Sequence, residues 1–161
     1  MNMTRKRRWL PLAAAIALPL ATGALSAFLT RDGMRLFASL RQPPLSPPAW
    51  LFPVVWTILY ILMGLASWLV WGAGASEARR DRALTVYGLS LAANFLWPIL
   101  FFTMEAWLPA FVLLVLLWLL VLACAVLFGC IAPRAGKLLI PYLLWLSFAG
   151  DLNLGVRLLN R

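Results

Sequence analysis

Three groups of residues place an aromatic ring beside a hydrogen-bonding group at helical spacing. Trp56 and Tyr60 stand four apart, Asn94 and Trp97 three apart, and Trp145, Ala149 and Asn153 follow at intervals of four. Each group shares one helix face. Converging faces of this kind would enclose a flat aromatic cavity with a few hydrogen-bonding groups, which is how sites for planar apolar ligands are built. The plainer alternative is that Asn94 and Asn153 join helices by hydrogen bonds and that the deep indoles of Trp56, Trp97, Trp118 and Trp145 pack in a core. A deep indole N–H needs a partner in either case. Trp9, Trp50, Trp71 and Trp107 stand near the ends of apolar runs and fit an interfacial belt.

Other chemistry is limited. The chain has no histidine, which removes the commonest metal ligand and every Ser-His or Cys-His mechanism. Cys124 and Cys130 are six apart within an apolar run; on a helix they face different ways, so they read as small packed residues rather than a disulfide. No metal site and no required cofactor are expected. Asp151 is the one acid inside an apolar span. Intramembrane carboxylates point to function by default; the alternative is a solvated or ion-paired structural role. It follows Ala149 by two residues, about 200° around a helix, and should point away from Trp145 and Ala149.

These residues need a scaffold, and composition defines it. Of 161 residues, 64% are hydrophobic and 12% charged, and the mean hydropathy is +0.91. Soluble domains have roughly 45–50% and about 25%, and one this small could not hide so much apolar surface. An all-α integral membrane protein follows, a bundle of five transmembrane helices. The helices are expected at about 9–29, 49–74, 83–104, 107–131 and 138–156, each near the ~20 residues a span requires. They form a single membrane domain over 1–161. The basic run Arg5–Arg8, with small residues at Ala24-Leu25-Ser26-Ala27, has a secretory signal as its alternative reading. The apolar stretch is long for one, so a retained helix is preferred.

The net charge is +9. The basic residues lie between apolar runs, where they serve as topology signals and lipid-headgroup contacts; no nucleic-acid partner is expected. Five spans put nine basic residues on the side of the N-terminus and five on the other. The N-terminus is then cytoplasmic. The longest connection, 31–48, carries Pro43, Pro44, Pro47 and Pro48. Proline fixes φ and favours extended conformations before it, so this segment is expected to be a stiff, non-helical lid over one end of the bundle. A simple helix-start signal is the alternative.

At these residues the chain resembles the TspO/MBR family, the tryptophan-rich sensory or translocator proteins, also called peripheral-type benzodiazepine receptors. The likeness rests on Pro43-Pro44-Leu45-Ser46-Pro47-Pro48-Ala49-Trp50, Phe52-Pro53-Val54-Val55-Trp56-Thr57-Ile58-Leu59-Tyr60, Asn94-Phe95-Leu96-Trp97 with Phe101-Phe102, and Pro141-Tyr142-Leu143-Leu144-Trp145 with Ala149 and Asn153. It runs in order through nearly the whole chain. The resemblance implies a five-helix bundle, usually a homodimer, with a pocket under the first loop. It implies porphyrins such as protoporphyrin IX, and haem, as ligands, with sterols and benzodiazepine-type compounds beside them. The implied ligand-binding set is Phe37, Pro43, Trp50, Trp56, Tyr60, Asn94, Trp97, Trp145, Ala149 and Asn153.

There are departures. Leu36-Phe37 stand where the family often has Trp-Tyr, and Leu45 replaces a Trp common in the proline motif. The C-terminal sterol motif needs a basic residue soon after its Tyr. After Tyr142 the next is Arg157, so that motif is absent. Three functions compete: a receptor or carrier for porphyrins in transport or stress sensing, a protein degrading porphyrin in light through Trp56 and Trp145, and a structural or partner-binding membrane protein. No acid–base pair lies among the candidate site residues, so degradation would rest on photochemistry of Trp56 and Trp145; the binding function is preferred.

Overall fold

The computed structural model describes residues 3–160, with the side chains of residues 3–9, 34 and 36 outside the description. The expectations placed on the basic run Arg5–Arg8, on Trp9 and on Leu36 fall on those undescribed side chains. Among the described residues the regular structure is entirely helical: α1 Met3–Leu29, α2 Arg31–Phe37, α3 Leu51–Gly72, α4 Glu77–Pro98 with a π-helical turn at Ile99–Thr103, α5 Trp107–Ile131, α6 Pro133–Leu138 and α7 Ile140–Leu159. Five segments are long and apolar enough to cross a membrane: Leu10–Leu29, Leu51–Gly72, Glu77–Thr103, Trp107–Ile131 and Pro133–Leu159. The protein is an integral, multi-pass membrane protein.

Several boundaries differ from the sequence expectation. Helix α4 begins at Glu77, not near 83, because Arg79, Arg80 and Arg82 can extend a helix beyond the hydrocarbon into the headgroup layer. Glu77 in the first turn complements the helix dipole. The last span is longer than 138–156 and is broken at Leu139. Pro141 has no N–H to offer the carbonyl of Lys137, so the helix cannot run through. The first connection is not wholly non-helical either. Arg31–Phe37 forms α2, with Asp32 in its first turn and Arg35 in its last, charges placed as the helix dipole prefers. No proline stands in this connection before Pro43.

Around the bundle the order is α1, α3, α6–α7, α5, α4 and back to α1. Small residues allow close approach where backbones meet. A β-carbon on Gly64 of α3 would lie 2.6 Å from the Cα of Ile16 in α1, and one on Gly136 of α6 would lie 2.6 Å from the Ala125 carbonyl oxygen of α5. Leu59, Met63, Val70, Leu117, Val121 and Phe128 fill the centre. The outer surface is apolar as well, with Leu10, Ile58, Leu89, Val126 and Leu144 exposed. Large apolar side chains facing both ways mark a helix bundle whose solvent is lipid.

Helices α4 and α5 meet at a tight turn. Pro98 cannot donate to the carbonyl of Asn94, and the chain widens into the π turn that follows. Glu105 then takes a left-handed φ of 51°, which lets the amides of Met104 and Ala106 reach the carbonyls of Ile99 and Leu100. This turn places Phe101 and Phe102 under the lid.

Candidate ligand-binding site

A cavity of about 360 Å³ opens beneath the lid, within the ~300–1,000 Å³ range of small-molecule sites. Its walls come from α1, α3, α4, the π turn and α7, and its roof from the lid. None of the described residues lining it is charged.

Helix α3 presents Trp56 and Tyr60 side by side. Their rings stack at 5.6 Å and 28°, and Trp56 also meets Tyr142 edge-on at 6.0 Å. A β-carbon on Gly23 of α1 would collide with the Tyr60 ring, so a glycine is needed opposite it. Helix α4 presents Asn94 and Trp97. Asn94 Nδ2 donates to the Tyr60 hydroxyl at 3.4 Å, while its Oδ1 is buried without a hydrogen-bond partner among the described residues. The Trp97 ring stacks on Phe101 at 5.1 Å, and its Nε1 donates to Asn153 Oδ1 at 3.3 Å.

Helix α7 supplies the third face. Trp145 meets Phe52 edge-on at 5.9 Å, and its buried Nε1 has no partner among the described residues. Ala149 is buried on the same wall, one turn along. Asn153 Nδ2 donates to the Trp107 carbonyl at 2.8 Å. Both ends of that amide are therefore engaged, and Asn153 joins α4, α5 and α7 as well as lining the cavity. From the lid, Phe37 wedges between Phe101 at 5.7 Å and Phe102 at 5.4 Å.

The structure thus brings Phe37, Trp56, Tyr60, Asn94, Trp97, Trp145, Ala149 and Asn153 to one cavity. It leaves two of the expected residues off it. Pro43 seats against Gly155 of α7; a turn closed by the Ser46 N–H to the Pro43 carbonyl at 3.0 Å carries it past the cavity, and Pro47 and Ala49 line the roof instead. Trp50 is 66% exposed just before α3, the position of a belt residue. Trp118 is also off the cavity, donating to Ser147 Oγ at 3.0 Å between α5 and α7. Asp151 is exposed on the outer face of α7, and Cys124 and Cys130 lie elsewhere.

The first helix also lines the cavity, which the aromatic spacings in the sequence do not reveal. Ser26 and Thr30, four apart, line the cavity. Ser26 Oγ donates to the Phe95 carbonyl at 3.0 Å, and Thr30 Oγ1 to the Ser26 carbonyl at 2.9 Å. Their i,i+4 polar spacing in an apolar run was the available signal. Phe52, Phe101 and Phe102 were also missed as wall residues, although all three stand within the motifs.

A lid-covered, uncharged aromatic cavity inside a five-span bundle defines a membrane protein built around a small-molecule site. The chain belongs to the TspO/MBR family, whose model matches residues 15–159. It is 38% identical to the tryptophan-rich protein TspO of Chlorobaculum tepidum over 152 residues, 94% of this chain and 96% of that one. It is 39% identical to the translocator protein of Bos taurus, covering 90% and 87%, and 37% identical to the tryptophan-rich sensory protein of Cereibacter sphaeroides, covering 94% and 90%. The family supports a receptor or transporter role in the membrane.

Proposed function

We propose that the protein binds porphyrins, protoporphyrin IX among them, in the cavity under the lid, and acts as a carrier or sensor of tetrapyrroles. The observation that carries this reading is a cavity walled by Trp56, Trp97, Trp145 and Phe101 that still holds an unpartnered acceptor, Asn94 Oδ1, and an unpartnered donor, Trp145 Nε1. A flat aromatic macrocycle stacks on these rings, and polar substituents at its rim answer the two unpartnered atoms. The carboxylates of such a ligand belong at the mouth, because burying an anion without a cation beside it is costly. Sterol-like and benzodiazepine-type compounds are further candidates for the same apolar space. A homodimer and a cytoplasmic N-terminus complete the proposal.

The test is a titration of purified protein with protoporphyrin IX in darkness, followed by tryptophan fluorescence. Saturable quenching at micromolar ligand, about −8 kcal/mol, is expected. No saturation up to high micromolar concentrations would reject the reading. A second reading is light-driven porphyrin breakdown. It is favoured by the stacked Trp56–Tyr60 pair and by Trp145 on one wall of the cavity, where an oxidisable indole would touch an excited ligand.

A further inference from the structure

The lid is joined to the far end of the sequence. The Arg41 N–H donates to Asn160 Oδ1 at 3.0 Å, and Asn160 Nδ2 donates back to the Arg41 carbonyl at 2.8 Å. One side-chain amide thus pairs with both backbone groups of a single lid residue, 119 positions away. The same Nδ2 also donates to the Val156 carbonyl at 2.8 Å, which anchors the amide on the last turn of α7. Two residues from Arg41, Pro43 packs against Gly155. A β-carbon there would collide with the proline ring, so only glycine admits this seat without displacement. Gln42, between the two contacts, lines the cavity.

We infer that Asn160 and Gly155 form a latch that holds the lid shut over the cavity, and that its opening sets how fast a ligand enters and leaves. Both are positioning residues, since neither lines the cavity. The inference rests on the ligand-binding reading of the cavity, but the latch itself has observables that need no ligand. Two hydrogen bonds at a membrane surface correspond to about a tenfold change in the ratio of closed to open lid. A latch indifferent to the occupant changes entry and exit together and leaves the equilibrium nearly untouched.

The experiment uses the full-length protein carrying Cys130→Ser and Ala149→Cys, which puts one reactive thiol on the cavity wall. Maleimide labelling of that thiol reads lid opening without any natural ligand. Asn160→Ala should label about tenfold faster. Asn160→Asp keeps the acceptor for the Arg41 N–H and loses the donor, so it should fall between. Gly155→Ala should also accelerate labelling by lifting Pro43. In a background with Ala149 intact, porphyrin association and dissociation should both rise about tenfold in Asn160→Ala, with the Kd within about threefold. Unchanged labelling in Asn160→Ala and Gly155→Ala would overturn the latch. So would equal acceleration at buried Cys124, which marks general loosening of the bundle, or a raised Kd that comes from faster dissociation alone with association unaltered. A wild-type protein that takes up no porphyrin would reject the ligand reading, and labelling would still decide the latch.

Discussion

Two tryptophans on the same cavity should respond in opposite ways to the same substitution. The Trp97 indole N–H is engaged by Asn153, whereas that of Trp145 has no partner among the described residues. Trp97→Phe leaves Asn153 Oδ1 buried and unpaired, which costs about 1–3 kcal/mol of stability. Trp145→Phe leaves no protein group unpaired and so carries no cost of this kind. The ligand-free Trp97→Phe variant should be less stable than Trp145→Phe by about 1–3 kcal/mol, which at about 2–4 °C per kcal/mol for a chain of this size is about 2 °C or more in Tm. Porphyrin affinity should run the other way. Trp145→Phe loses a hydrogen bond to the ligand worth about 0.5–1.5 kcal/mol, or about two- to twelvefold in Kd. Trp97→Phe should stay within about threefold. Thermal unfolding in detergent without ligand and a dark porphyrin titration measure both quantities. If Trp145→Phe is as destabilising as Trp97→Phe and leaves affinity unaltered, the Trp145 N–H does not serve the ligand and the reasoning fails.

Three further outcomes are expected. With Trp56 and Trp145 both replaced by Phe, light-driven loss of porphyrin should stop while dark binding persists, though weakened; undiminished bleaching would reject a photochemical role for these indoles. Iron-free porphyrin should bind about as well as haem, because Cys124 and Cys130 lie off the cavity and the Tyr60 hydroxyl already accepts from Asn94; a much tighter haem complex that is lost in Tyr60→Phe would overturn this. Asp151→Asn should leave porphyrin affinity within about threefold, under ~0.7 kcal/mol, since Asp151 is exposed on the outer face of α7, and a tenfold loss with unchanged Tm and oligomeric state would contradict that placement.

What could be read from the sequence was the part governed by helical periodicity. Trp56 with Tyr60, Asn94 with Trp97, and Trp145 with Ala149 and Asn153 occupy fixed phases once their helices form, and all seven line one cavity. The lid was less legible, because its path depends on partners remote in sequence. Nothing within 31–48 says that Pro43 meets Gly155 or that Arg41 meets Asn160; those contacts turn Pro43 away and bring Pro47 and Ala49 to the roof. Helix α2 is hidden by the proline-rich composition of the connection as a whole, while residues 31–37 contain no proline. Ser26 stands in the small-residue run Ala24-Leu25-Ser26-Ala27, which also fits a cleavage site and so masks its polar spacing with Thr30. Phe101 and Phe102 reach the cavity through a π turn, whose phase differs from that of the helix before it.

The distribution of unpaired polar atoms links the fold to its ligand. In a lipid-surrounded bundle a polar side chain must find a partner inside the protein. Asn153 does so with both ends, Ser26 and Thr30 with backbone carbonyls, and Trp97 through Asn153. The buried Tyr142 hydroxyl also has no partner among the described residues, but it lies off the cavity. On the cavity wall, Asn94 Oδ1 and Trp145 Nε1 have no partner among the described residues, one an acceptor and the other a donor. Leaving each unpaired costs about 1–3 kcal/mol, and a ligand that satisfies both recovers that cost as binding energy. A saturated hydrocarbon cannot do this, and a charged ring would enter a cavity whose described lining residues carry no counter-charge. A flat aromatic ligand with a donor and an acceptor at its rim satisfies the pair without burying charge among these residues.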